Sequence, residues 1–353
     1  MFFLILQIFI FLFIMTIILI LNMKKKYFNL FLVYSVFYFF IAIVYFWIIK
    51  YGGIDLFTFK DEDTYLNTNY SLGYSYMVQW IANNFDIYWI RILQYSFFSF
   101  TIIFFFKVTI KNNVLKYSIF EIILLSLAMF SVAYWSFFIL KEVFVVSGLL
   151  LYLLSFKTGK LIYKFIGYSI LIVTRPEFVF IIIFAELSYN ILIKSKVIYF
   201  FIMSIILVTI KSILDLPLAV AIKTSIVARR FGESVKTFDP ETIAAGKLDA
   251  ISFVLSPEYL QVLKTNLVRT FSILEYSFSP VIYLLIFLNI FGLYYVVNNS
   301  FKLKQEKILY ILMSLIVVLL MTHSVFRYFN TVIVPFIIYL YVMKNIGRKV
   351  KYV

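Results

Sequence analysis

The stretch FKDEDTYLN places Asp61, Glu62 and Asp63 side by side. WSFFILKEVFVV carries Lys141-Glu142, ILIVTRPEFVF carries Arg175-Pro176-Glu177, VARRFGES carries Arg229-Arg230, and MTHSVFRYFN sets His323 four positions before Arg327. Carboxylates of this kind can take a proton from an attacking hydroxyl, or hold Mg²⁺ or Mn²⁺ through oxygen. Guanidinium groups make planar, two-pronged contacts to phosphate and do not deprotonate, whereas lysine offers a point charge. These residue types suit anion binding next to proton transfer. Each stretch also has a purely structural reading. The acid triplet reads as a solvated loop, Lys141-Glu142 as a hairpin corner whose charges pair or snorkel, and Arg175-Pro176-Glu177 as a helix break with proline in the first turn of the next helix. His323 reads as a hydrogen-bonded structural residue, Arg327 as an interfacial anchor, and Glu186 as a charge paired within the bundle. With no cysteine and one histidine, disulfide and thiolate chemistry are excluded and a zinc site is disfavoured.

The elements that must position these residues follow from composition. Of 353 residues, 64% are apolar and only 14% charged, far from a soluble domain and typical of a polytopic membrane protein. No linker or internal repeat divides the chain, so residues 1–353 read as a single all-α integral membrane domain. Runs of apolar residues predict a transmembrane helix bundle of about eleven spans. They are Phe2–Asn22, Tyr27–Ile49, Ile90–Phe106, Tyr117–Leu140, Val143–Phe156, Leu161–Thr174, Phe178–Ile193, Val197–Leu216, Pro280–Asn298, Ile308–Thr322 and Tyr328–Met343. Residues 217–279 form one large external loop. The first run lacks a preceding basic residue and a small-residue cleavage site, and reads as a retained span.

The net charge of +15 lies in short Lys/Arg runs between apolar segments, which points to the bilayer rather than to nucleic acid. Placing Lys24, Lys25 and Lys26 on the cytoplasmic side puts the N-terminus outside. Strict alternation then places the loops around Lys111, Lys160, Lys196 and Lys304, and the tail with Lys349, inside as well. The acid triplet, Lys141-Glu142, Arg175, Arg229, Arg230, His323 and Arg327 fall together on the outer face. Three spans, Val143–Phe156, Leu161–Thr174 and Ile308–Thr322, are shorter than a bilayer requires, so the charges at their ends are expected below the membrane surface.

The order of these signals carries a resemblance. The external acidic stretch before Tyr65 is followed by TNYSLGYSYMVQWIANNFDIYWIRILQ, which leads to Arg91 at the mouth of a span, then by LKE, TRPE and FRYFNTVIVPF. This arrangement resembles the GT-C superfamily of polyprenyl-phosphate-dependent membrane glycosyltransferases, over most of residues 59–190 and 323–336. The chain departs from it in having one extra span before the acidic loop and no large soluble part after the last span. Its size, span number and single large outer loop look more like the O-antigen and capsule polymerases of the Wzy type, a likeness at the level of fold.

The resemblance implies an inverting transfer of polyprenyl-pyrophosphate-linked saccharide during surface polysaccharide assembly. Asp61 or Asp63, in a cluster with Glu62, would take the acceptor proton. Lys141, Glu142, Arg175, Glu177, Arg229, Arg230, His323 and Arg327 would bind substrate, the cations holding the pyrophosphate. No cofactor is expected; Mg²⁺ or Mn²⁺ at the acid triplet is the alternative, although three adjacent side chains on a loop do not make a cage. Expected partners are the lipid-linked saccharide, membrane lipid and polysaccharide assembly proteins, but no nucleic acid. The expected location is the bacterial cytoplasmic membrane, with the C-terminus in the cytoplasm. A polysaccharide or lipid-linked oligosaccharide exporter, or flippase, is the competing reading, although the two related halves usual in transporters are absent. A membrane acyltransferase would have only His323 on which to build a base.

Overall fold

A computed structural model describes residues 29–52, 73–85, 88–110, 118–138, 140–202, 280–322 and 326–347, and the single positions 204, 264 and 271. Helix is the only regular structure among the described residues. In lipid, a chain must satisfy its own backbone groups, and a run of apolar residues does so as a helix. The elements are α1 (Asn29–Gly52), α2 (Gly73–Asn84), α3 (Tyr88–Thr109), α4 (Ile119–Phe137), α5 (Glu142–Thr158), α6 (Leu161–Thr174), α7 (Pro176–Lys194), α8 (Pro280–Lys302), α9 (Glu306–Thr322) and α10 (Phe326–Gly347). A further helical run covers 196–202.

Five stretches, Tyr88–Thr109, Ile119–Phe137, Pro176–Lys194, Val281–Lys302 and Tyr328–Ile346, are long and apolar enough to cross a membrane. The described residues therefore form an all-helical bundle with five helices able to cross a membrane. Helices α5, α6 and α9 have 17, 14 and 17 residues and are short, as their sequence suggested. Of the other expected spans, Phe2–Asn22 and most of Val197–Leu216 lie outside the described residues. So does the external loop 217–279, apart from residues 264 and 271.

Helix ends follow from local chemistry. Ser118 caps α4 in a reciprocal box, its hydroxyl accepting from the Glu121 N–H while the Glu121 carboxylate accepts from the Ser118 N–H. Gly159, at φ +69°, ends α5 in the left-handed conformation that glycine adopts without steric cost. Pro176 opens α7 where no helical N–H is required.

Helices α5 and α10 occupy the centre. Every residue of α5 from Glu142 to Leu154 is buried, as is every residue of α10 from Phe329 to Val342. Around them pack α3, α4, α6 and α8, with α1 laid along α4 and α9 along α7. The outward faces of α6 and α7, with Phe165, Ile172, Phe180 and Leu187 exposed, are apolar and suited to hydrocarbon. Helices α5 and α6 approach closely, and a Cβ added at Gly167 would stand 2.7 Å from the Gly148 carbonyl oxygen.

Candidate functional site

Lateral contacts sort the helix ends into two poles. At one, Lys344 near the end of α10 donates to Glu121 in the first turn of α4 at 2.6 Å, and Tyr295 near the end of α8 donates to the same carboxylate at 3.2 Å. There too Lys164 in the first turn of α6 pairs with Glu186 of α7, which also accepts from Tyr152 of α5. Lys307, at the start of α9, reaches Asn190 and lies over Phe156. This is the lysine pole. Glu186 has the partner within the bundle that its mid-span position called for.

The opposite pole carries arginine. Arg91, in the first turn of α3, is 3% exposed and walled by rings: its guanidinium carbon lies 5.0 Å from the centroid of Tyr45, 4.8 Å from Phe137 and 5.5 Å from Tyr88. Nη2 donates to the Tyr45 hydroxyl at 3.4 Å, and Tyr38 donates to the Arg91 carbonyl at 3.3 Å. These contacts bring the ends of α1 and α4 to the start of α3. One turn deeper, Gln94 is fully buried and donates twice, to the Tyr74 hydroxyl of α2 at 2.9 Å and to the Leu140 carbonyl at 2.6 Å. Leu140 immediately precedes Lys141-Glu142, so Gln94 holds the corner that presents them. Lys141 opens α5 in a helical conformation, its carbonyl accepting from Phe144 and Val145. Glu142 follows in the first turn, where the helix dipole favours an anion, and is 1% exposed.

Arg175 joins α6 to α7. Proline at 176 disfavours helical geometry at the residue before it, and Arg175 sits at φ −150°, ψ 72°. Its N–H closes α6 on Leu171 and its carbonyl accepts from Phe178 of α7. The side chain turns inward: Arg175 is 3% exposed, donates from Nη1 to Glu177 at 3.1 Å, and stacks 4.2 Å from the ring centroid of Tyr328 in α10. Because α5 and α6 run antiparallel through the Gly148–Gly167 approach, Glu142 and Arg175 lie at the same end of one helix pair.

Of the residues singled out by sequence, Lys141, Glu142, Arg175 and Glu177 therefore share one pole. Arg327 occupies the first turn of α10 at that pole, next to Tyr328. Asp61, Glu62, Asp63, Arg229, Arg230 and His323 lie outside the described residues. Among the described residues no three of His, Cys, Asp and Glu converge as metal ligands. Sequence reasoning placed Arg91, Tyr74 and Tyr328 in the motif order without a binding role, and it passed over Gln94 and Tyr45. The spacing of Arg91 and Gln94, three apart on one helical face at the mouth of a span, was the available signal. The arrangement offers two guanidinium groups, backed by flat aromatic faces and set at the end of a bundle, beside a Lys-Glu corner. Chemically, that is suited to binding an anion. No family model, no characterised protein and no solved structure matches this chain.

Proposed function

We propose that the protein is a membrane glycosyltransferase that joins polyprenyl-pyrophosphate-linked saccharide units in surface polysaccharide assembly, most closely a polymerase of the Wzy type. The observation that carries the reading is Arg175. It is buried at a proline break, oriented by Glu177 and Tyr328, and shares its pole with Arg91 and the Lys141-Glu142 corner. A buried arginine in a membrane bundle is costly, and such residues mark binding sites and substrate paths. In this scheme the arginine pole faces outward from the bacterial cytoplasmic membrane, with the N-terminus outside and the C-terminus inside.

The acceptor hydroxyl oxygen attacks the anomeric carbon of the donor and inverts it. The bond from that carbon to the pyrophosphate oxygen breaks, and the electron pair leaves with the lipid pyrophosphate. The hydroxyl proton passes to Asp61 or Asp63. Arg175, with Arg91, Lys141, Arg229, Arg230 and Arg327, stabilises charge building on the pyrophosphate. Glu177 orients Arg175, and Glu142 joins Lys141 in binding the substrate.

The test uses purified protein with a defined lipid-linked oligosaccharide. Losing a charge-assisted contact costs about 1.5–3 kcal/mol, so Arg175→Ala should lower donor use roughly ten- to a hundredfold, with Arg175→Lys only partly restored. Asp61→Asn or Asp63→Asn should lower transfer by about 10² to 10⁴ with donor binding kept. Unchanged transfer in all of these variants refutes the reading, and donor translocation without new glycosidic bonds identifies an exporter instead.

A further inference from the structure

Helix α2 has a face that the bundle does not cover. At 1.5 Å per residue it is about 18 Å long, too short to span a bilayer. Its sequence GYSYMVQWIANN contains no charged residue. One side packs inward: Tyr74 and Val78 are buried, with Met77 and Ile81, against Ile90, Phe97, Phe144 and Ile170. The other side turns Tyr76 and Trp80 outward, each 51% exposed, and Phe85 and Trp89 continue the aromatic surface beyond it. Trp80 and Phe85 pack edge to face at 5.8 Å.

The partners of the buried side set the level of the helix. Phe97 lies roughly 13 Å past the start of α3, and Ile170 roughly 6 Å before the end of α6, at 1.5 Å per residue. Helix α2 therefore lies against the flank of the bundle, below the ends of the spanning helices, not on top of them. Its neighbour α6 exposes Ile172 and Val173 at the same end. A surface continuous with those residues faces lipid. Tryptophan and tyrosine favour the boundary between headgroups and acyl chains, where the ring body is apolar and its polar edge is wet. The exposed amides of Asn83 and Asn84 fit that boundary and add no charge to be desolvated.

We propose that α2 is a membrane-interface helix whose Tyr76–Trp80 face is seated in the lipid leaflet at the arginine pole. The occupant is the bilayer itself. Through Tyr74, Gln94 and the Leu140 carbonyl the same helix is tied to the Lys141-Glu142 corner, so the lipid surface sets the position of that corner. The inference stands apart from the proposed reaction.

The chain has no cysteine, which makes the test direct. Nitroxide is attached to single-cysteine variants Tyr76→Cys, Trp80→Cys and Val78→Cys in liposomes, and its relaxation is measured with oxygen, which concentrates in lipid, and with a water-soluble nickel chelate. Ile172→Cys on α6 is the lipid reference and Lys160→Cys the water reference. The oxygen-to-nickel ratio at 76 and 80 should fall nearer to that at 172, with 78 shielded from both reagents. A ratio nearer to that at 160 overturns the proposal and makes this face a water-exposed platform, as a bound saccharide would require. Accessibility at 78 equal to that at 80 overturns it too, because α2 would then not pack as described.

Discussion

The α5–α6 pair is held at a separation only glycine allows, and Gly167→Ala tests this. The added methyl would lie 2.7 Å from the Gly148 carbonyl oxygen, 2.8 Å from the Tyr152 nitrogen and 3.1 Å from the Tyr152 α-carbon. All three are backbone atoms of α5, so no rotamer change relieves the clash and the helices must separate. Overpacking of this kind costs about 1–3 kcal/mol. Alanine in a helix interior returns roughly 0.5–1 kcal/mol relative to glycine, so the net loss lies between about 0 and 2.5 kcal/mol and is about 1 kcal/mol at the middle of both ranges. Gly292→Ala is the internal control. Its methyl would meet the Ile337 Cδ1 at 2.8 Å, the end of a flexible side chain that can turn away, so this variant should be neutral or gain slightly. Gly148→Ala, facing Leu171 Cγ at 3.0 Å and the Gly167 carbonyl oxygen at 3.2 Å, should fall between them. Unfolding of the three purified variants, titrated with dodecyl sulfate in mixed micelles and followed by circular dichroism, gives the order. If Gly167→Ala is as stable as Gly292→Ala, the close approach is wrong, and with it the shared placement of Glu142 and Arg175 at one end of the pair.

Two further outcomes follow from the ties at each pole. Lys344→Met removes the cation from Glu121, whose side chain is 1% exposed, and should cost about 3 kcal/mol, the lower end for breaking a buried pair, since Ser118 and Tyr295 remain as partners. Adding Glu121→Gln should restore part of that loss in the same titration, and an additive second loss would show that the pair does not interact. Gln94→Leu deprives the buried Leu140 carbonyl and the Tyr74 hydroxyl of their donor and should cost about 1–3 kcal/mol for the orphaned carbonyl. Wild-type stability in that variant would show that Gln94 does not hold the corner.

What could be read from sequence divides along the range of the interactions. Of the eleven runs read as spans, five coincide with the described helices long and apolar enough to cross a membrane, because a helix in lipid is decided locally, by its own backbone and side chains. The run read as Val143–Phe156 emerges as Glu142–Thr158, lengthened because Lys141 is already helical and because Gly159 stops the helix in a left-handed turn. Helix α2 was visible only as an amphipathic stretch. Its twelve residues are too few for a span, and its inward side is defined by Phe97, Phe144 and Ile170, on three different helices. Partner choice was not legible at all. Glu186 was expected to pair within the bundle, but nothing in periodicity selects Lys164, and Glu121 finds Lys344 from a helix more than two hundred positions away. Arg91 looked like a charge at a membrane mouth, yet Tyr45 and Phe137, from two other helices, bury it.

The two poles differ in how their cations are held, and the difference bears on function. Lys164 and Lys344 are anchored by carboxylates that are 12% and 1% exposed. The lysines are 25% and 26% exposed, but separating either pair would leave its more deeply placed carboxylate without compensation, which holds the pair together. Arg175 is held differently. The side chain of its carboxylate partner, Glu177, is 43% exposed, and the flat face of Tyr328 lies against its guanidinium. Water screens an exposed carboxylate and weakens its hold, while an aromatic face orients a guanidinium without neutralising it. Arg91 likewise rests on the rings of Tyr45, Tyr88 and Phe137. A guanidinium stacked on a ring meets its polar partners along its N–H edge, as Arg91 meets the Tyr45 hydroxyl and Arg175 meets Glu177, and that is also the edge a phosphate engages with two oxygens. Lysines locked to buried carboxylates serve the bundle's stability and orientation. Arg175, stacked on a ring beside a solvated carboxylate, is the cation whose anionic partner can be exchanged, which is what the proposed role in binding pyrophosphate requires of it.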